Sequence, residues 1–216
     1  MEIDLTDAKK NLFKSLSNAV GSKSVIEAME RVPRERFVPP ESRHLAYSDI
    51  ALAIGEGQTI SQPYMVALMT KALGVKSTDR VLEVGTGSGY QAAVLSMLTP
   101  QGKVLTVELV PSLAKRAKEL LAELGFGNVE VREAVPIIGC PASGPFDAII
   151  VAAAAPRLPG SLIGQMAVGG RLVVPVGTRK NQELIQVLRT GEGLSIHTLG
   201  RCRFVPLIGE EAFSKD

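Results

Sequence analysis

The run VLEVGTGSGY, residues 81–90, constrains this chain more than any other stretch. An aliphatic segment meets three glycines at alternate positions, Gly85, Gly87 and Gly89, and helix-forming residues follow at once. Glycine lets a backbone adopt conformations closed to other residues and approach a ligand closely. The start of a helix adds free N–H groups. In α/β sheets the loop after the first strand, at the carboxyl end of the sheet, is where ligands bind.

Two cofactor classes use glycine turns of this kind. The dinucleotide fingerprint GxGxxG needs a third glycine at position 90, where this chain has Tyr90. A nicotinamide-dependent oxidoreductase also has no candidate proton-transfer residue here. The spacing is instead G-x-G-x-G, preceded by Glu83. A second acid, Glu108, closes the next β-branched run, where a carboxylate can accept hydrogen bonds from ribose hydroxyls. A structural turn with chance glycines leaves both acids unexplained. Together they give the pattern of class I methyltransferases, with S-adenosylmethionine as cofactor and S-adenosylhomocysteine as product.

The rest of the chain agrees with such a fold. Residues 7–19, 24–31 and 62–73 carry apolar positions at helical spacing. Pro33, Pro39 and Pro40 interrupt them, and residues 49–61 read as a glycine-containing connection. From Asp79 strands and helices alternate: strands at 80–84, 103–108, 128–132, 147–151 and 171–176, helices at 90–98 and 111–124. Alternation of this kind implies a parallel sheet covered by helices on both faces. Residues 183–190 and 195–205 have no helical interlude and read as an antiparallel pair closing the sheet. The predicted fold is α/β: a Rossmann-like, doubly wound, mostly parallel sheet with an antiparallel C-terminal strand pair. An N-terminal helical and substrate-loop extension, residues 1–75, precedes a cofactor-binding domain, residues 76–216, in one unit.

Composition narrows the partners. The 216 residues hold 24 basic and 22 acidic side chains, a net charge of +2, so neither nucleic acid nor an anionic membrane is implied. The longest apolar run, residues 148–155, is too short for a bilayer span of roughly 20 residues. The acidic start MEIDLTDAKK is the wrong beginning for a secretory signal. Cys140 and Cys202 form no CxxC pair and read as ordinary small side chains, which fits a reducing cytoplasm. His44 and His197 read as surface or packing residues, and no Cys/His ligand cluster is present, so no metal is expected.

Further stretches narrow the resemblance. MERVPRERFVPP (29–40), AYSDIALAIGEGQTISQPYMVALM (46–69), PFDAIIVAAAAPRLP (145–159), GGRLVVPVG (169–177) and RFVPLIG (203–209) join VLEVGTGSGY. Over nearly the whole chain they resemble protein-L-isoaspartate O-methyltransferases, and QTISQPYM is the most specific element. The resemblance implies methylation of the free α-carboxylate of L-isoaspartyl residues in damaged proteins and peptides, by a cytoplasmic monomer. The ester then closes to a succinimide, whose hydrolysis returns some normal aspartate.

By the same resemblance Ser61 orients the attacking carboxylate, and Gln58, Thr59 and Ile60 border the substrate peptide. Ser61 also stands where a cap for the following helix would stand. Asp49 supports this loop or is a simple turn residue, and Arg34 with Glu35 reads as a solvated or ion-paired face. The cofactor falls to Glu83, Gly85, Thr86, Gly87, Ser88, Gly89, Glu108 and Leu109. AAAAP stands where amino-methylating enzymes carry Asn/Asp-Pro-Pro-aromatic, which argues against a nitrogen acceptor.

Two positions depart from the family. Its Gly-Asp-Gly, whose Asp is thought to hold the adenine, is Ala134-Val135-Pro136 here, and its Thr before the alanines is Ala152. Glu133, two residues from Val135 and so on the same face of a continuing strand, is the nearest replacement carboxylate. Val135 is also what favours the second reading, a cofactor- or peptide-binding homologue with reduced or lost turnover.

Overall fold

The glycine and proline positions set where the N-terminal helices start and stop. The computed structural model describes residues 4–214; the first three and last two residues of the two expected segments lie outside the described residues. Helix α1 (Thr6–Val20) buries Leu12, Phe13, Leu16 and Val20 and ends at Gly21, whose φ of 64° closes a left-handed C-cap. Helix α2 (Lys23–Arg31) follows. The connection before helix α3 (Pro63–Leu73) holds what the sequence did not predict, an antiparallel hairpin of β1 (Leu52–Gly55) and β2 (Gln58–Ile60). Its turn uses positive φ at Gly55, Glu56 and Gly57, so two very short strands are hidden among turn residues.

The main sheet takes β3 (Arg80–Val84), β4 (Lys103–Glu108), β5 (Val129–Glu133), β6 (Phe146–Val151), β7 (Met166–Gly177), β8 (Gln182–Arg189) and β9 (Leu194–Cys202). Their spatial order is β5-β4-β3-β6-β7-β8-β9. Strands β3 to β7 are mutually parallel; β8 runs antiparallel to both β7 and β9. Helices α4 (Tyr90–Leu98) and α5 (Pro111–Glu123) make the crossovers after β3 and β4. The chain winds outward from β3 through β4 to β5, then returns to β6 on the other side of β3. That reversal opens a crevice beyond the carboxyl ends of β3 and β6.

The residues of each strand divide between two cores. Val81, Val104, Ala148, Ile150 and Val173 pack with α1 to α5, including Phe13, Met29, Leu73 and Leu95, so the N-terminal helices share a core with the sheet. Leu82, Val84, Leu105, Ile149, Val151 and Leu172 face the other way, against Ile138, Leu162 and Leu207. The cover on that second face is the five-residue helix α6 (Gly160–Gly164) and the segments 134–145 and 203–213. It is thinner than the alternation of strands and helices implied, and it leaves two irregular segments next to the crevice.

Candidate active site

The crevice is a cleft partly open to solvent. Its floor is the glycine loop between β3 and α4. Gly85, Gly87 and Gly89 all have positive φ, at 95°, 53° and 89°. The first two line the cleft with Thr86 and Ser88. Gly89 lies outside the lining and serves packing instead: a Cβ there would sit 3.2 Å from Leu121 of α5.

Both predicted acids line this floor. Glu108 ends β4, where its Oε2 accepts the Gly87 N–H at 2.8 Å and its Oε1 accepts the Val110 N–H at 3.0 Å. Each oxygen keeps lone-pair capacity for a ligand hydroxyl. Glu83 is fully buried. Its Oε2 accepts the Thr106 hydroxyl at 2.5 Å, and Thr106 in turn shares a 2.6 Å hydrogen bond with Thr86. Its Oε1 has no partner. Burial pushes the Glu83 carboxyl up to about 8; the Thr106 bond opposes the shift and the Glu108 charge adds to it. A cofactor with ribose hydroxyls fits the two oxygens of Glu108.

Gln58, Thr59, Ile60 and Ser61 line the same cleft. Ser61 is half-buried, and its hydroxyl has no hydrogen-bond partner among the described residues. The structure corrects its expected capping role. Helix α3 opens at Pro63 with Gln62 at the cap position, one residue beyond the reach assumed for Ser61. The cap comes instead from Asp49, whose Oδ1 accepts the Tyr64 N–H at 2.8 Å while Oδ2 accepts the Gln62 side-chain amide at 3.1 Å.

Arg34 is the second correction. It is 0% exposed, not part of a solvated face. A short 3-10 turn, Arg34–Arg36, aims it inward. Its Nε donates to the Ala46 carbonyl at 2.9 Å and its Nη2 to the Ser61 carbonyl at 2.8 Å, and the guanidinium lies 4.8 Å from the centroid of the Tyr90 ring. Glu35 is half-buried and accepts the Tyr47 hydroxyl at 2.5 Å. Sequence reasoning missed Tyr90 as a site residue; its place directly after the third glycine was the available signal.

The far end of the cleft is apolar. Leu109, Val135 and Ile137 line it although each is about half exposed, at 47%, 58% and 47%. Glu133 is not brought into the cleft. It pairs with Glu108 at the end of β5 and is exposed; the strand stops there, so the alternation that would align it with Val135 does not continue. Residues 205–208 also line the cleft. Mutual hydrogen bonds of Ala154 with Val205 and Leu207, each 2.8 Å, hold them there. Their sequence, an irregular stretch after the last strand, carries no local signal for this.

Residues 7–212 match the family described as protein-L-isoaspartate (D-aspartate) O-methyltransferase. This chain belongs to that family. It is 51% identical over 215 residues to the protein-L-isoaspartate O-methyltransferase of Roseiflexus sp. (strain RS-1), covering 99% of this chain and 98% of that one. To the enzyme of the same name from Ignicoccus hospitalis it is 48% identical over 211 residues, 96% and 100% of the two chains.

Among solved structures, a protein-L-isoaspartate O-methyltransferase superimposes with a TM-score of 0.84 at 30% identity. It covers 93% of this chain, which spans 66% of that longer one. A putative protein-L-isoaspartate O-methyltransferase from Plasmodium falciparum, in complex with S-adenosyl-L-homocysteine, gives 0.80 at 25% identity over 94% and 98% of the chains. Among the described residues no helix of this family member is long and apolar enough to cross a membrane.

Proposed function

We propose that this chain transfers the methyl group of S-adenosylmethionine to the free α-carboxylate of an L-isoaspartyl residue, within the cleft between the glycine loop and Ser61. One observation carries the reading: the unbonded hydroxyl of Ser61 shares a single cleft with Gly85, Gly87 and Glu108. When bound, the cofactor supplies a methyl group on a positively charged sulfur. Glu108 would accept the ribose hydroxyls, the glycine loop would let the backbone come close, and Leu109, Val135 and Ile137 would pack on the adenine. Glu83, whose Oε1 has no partner, also lines the cleft.

Ser61 orients the substrate carboxylate, with Gln58, Thr59 and Ile60 along the peptide. A carboxylate with a reference pKa of about 3.3–3.9 is already ionised at neutral pH, so no base and no metal is required to make the nucleophile. The work of the site is alignment and exclusion of water. The products are the methyl ester and S-adenosylhomocysteine, and the ester opens the route back to aspartate. The same reading has the enzyme acting as a monomer on damaged proteins and peptides in the cytoplasm.

Ser61→Ala tests it. Turnover on an isoaspartyl peptide should fall by tenfold or more, about the effect of one lost hydrogen bond to a charged group, while S-adenosylhomocysteine binding is unchanged. Full turnover in that variant would remove Ser61 from the reaction.

A further inference from the structure

Among the described residues Arg34 is a buried cation with no carboxylate in ion-pair contact; Asp49 acts on it only at longer range. Nothing else at the site carries a positive charge so deeply, and an unpaired charge in a protein interior is costly. Two of its three nitrogens go to the main-chain carbonyls of Ala46 and Ser61; Nη1 has no partner, and neither has the buried Tyr90 hydroxyl beside it. The carboxylates nearest this region are engaged elsewhere. Glu35 accepts the Tyr47 hydroxyl, and Asp49 accepts the Tyr64 N–H and the Gln62 amide. Among the described residues no ion pair includes Arg34.

We infer that Arg34 is a positioning residue that fixes the Ser61 main chain and sets the preference of the cleft for an anionic acceptor over a neutral one of the same shape. The inference rests on the proposed role of Ser61. The guanidinium holds the Ser61 carbonyl directly, so it lies immediately behind the wall where the substrate carboxylate is oriented. Arginine stays charged in proteins. Its field is weakly screened because the group is removed from water.

The reaction removes the charge that this field attracts. A carboxylate oxygen forms a bond to the methyl carbon, the carbon–sulfur bond breaks with its electron pair left on sulfur, and anion and sulfonium both become neutral. Attraction to Arg34 is therefore greatest for the bound substrate and weakest for the ester. It favours substrate capture and ester release and is only partly kept in the transition state, where the acceptor retains part of its negative charge, so it acts on KM more than on kcat.

The test is competitive binding to the S-adenosylhomocysteine-loaded protein. The probes are an isoaspartyl peptide and the same peptide with its isoaspartyl α-carboxylate replaced by the carboxamide. Wild type should prefer the acid by roughly tenfold or more. Arg34→Gln should lose most of that preference and raise KM more than it lowers kcat, and Arg34→Lys, which keeps the charge, should retain the preference. A merely structural arginine would weaken acid and amide alike.

Equal binding of acid and amide by wild type overturns the inference, as does an unchanged ratio in Arg34→Gln or a lost one in Arg34→Lys. Should Arg34→Gln not fold, wild type and Arg34→Lys decide between the same outcomes. Binding needs no turnover, so failure of wild type to methylate the peptide would strike the proposed function and leave this ratio to be read separately.

Discussion

Glu108 accepts the N–H of Gly87 at 2.8 Å, so the acid that ends β4 holds in place the glycine loop that follows β3. The residue assigned to the ribose is thus also a brace for the loop beneath it. Glu108→Ala should weaken S-adenosylhomocysteine binding and lower the melting temperature together, since hydrogen bonds to a charged group are each worth roughly 1.5–3 kcal/mol. Calorimetry and thermal unfolding on one sample would check both. Unchanged affinity would take Glu108 out of the cofactor site.

Val135 lines the cleft at the position where the resemblance to the family implies an Asp. One missing good hydrogen bond should leave the affinity for the cofactor about 1–2 kcal/mol below that of an Asp-bearing relative. Val135→Asp should recover part of it in a calorimetric titration, while Glu133→Ala, outside the cleft, should change nothing. A loss in Glu133→Ala would mean that this carboxylate reaches the adenine after all.

Glu83 gives the protein a pH signature. Its carboxyl sits at about 8 when folded, chiefly through burial, against 4.5 as the ordinary value. The folded state therefore holds a proton that the unfolded chain releases. The stability this contributes is complete below about 4.5 and is lost as pH rises through about 8. Glu83→Gln, which imitates the protonated form, should unfold with a flatter dependence on pH between 5 and 8 than wild type. Parallel curves would place an ionised Glu83 in the folded cleft.

Asp49 caps α3 from 15 residues before Tyr64. Asp49→Ala should cost about 0.5–2 kcal/mol in chemical denaturation, the usual range for a lost N-cap. It should also reduce turnover, because the segment it ties down carries Ser61. Loss of stability with full activity would separate the cap from the site.

Where local chemistry decides the structure, the sequence was enough. The bounds of β3, α4 and β4 follow from aliphatic runs meeting Gly85 and Thr99, and the strand-end acids and most of the glycine loop line the cleft as expected. What escaped reading depends on distant partners. Arg34 is one charged residue among prolines, and it is held inside by the Ala46 and Ser61 carbonyls and the Tyr90 ring. Asp49 caps a helix it does not adjoin, so the nearer Ser61 took that role on paper. Helix α6 has five residues, two of them glycine, and β1 and β2 are too short for a periodic pattern. Glu133 was carried toward the cleft by extending a strand that stops at that very residue.

Methyl transfer to matched isoaspartyl and aspartyl peptides tests the central claim most directly. S-Adenosylmethionine labelled in its methyl group should pass label to the isoaspartyl peptide as a base-labile ester, and the aspartyl peptide of the same sequence should stay near background. Equal labelling of the two peptides, or none of either by a folded protein that binds S-adenosylhomocysteine, would contradict it.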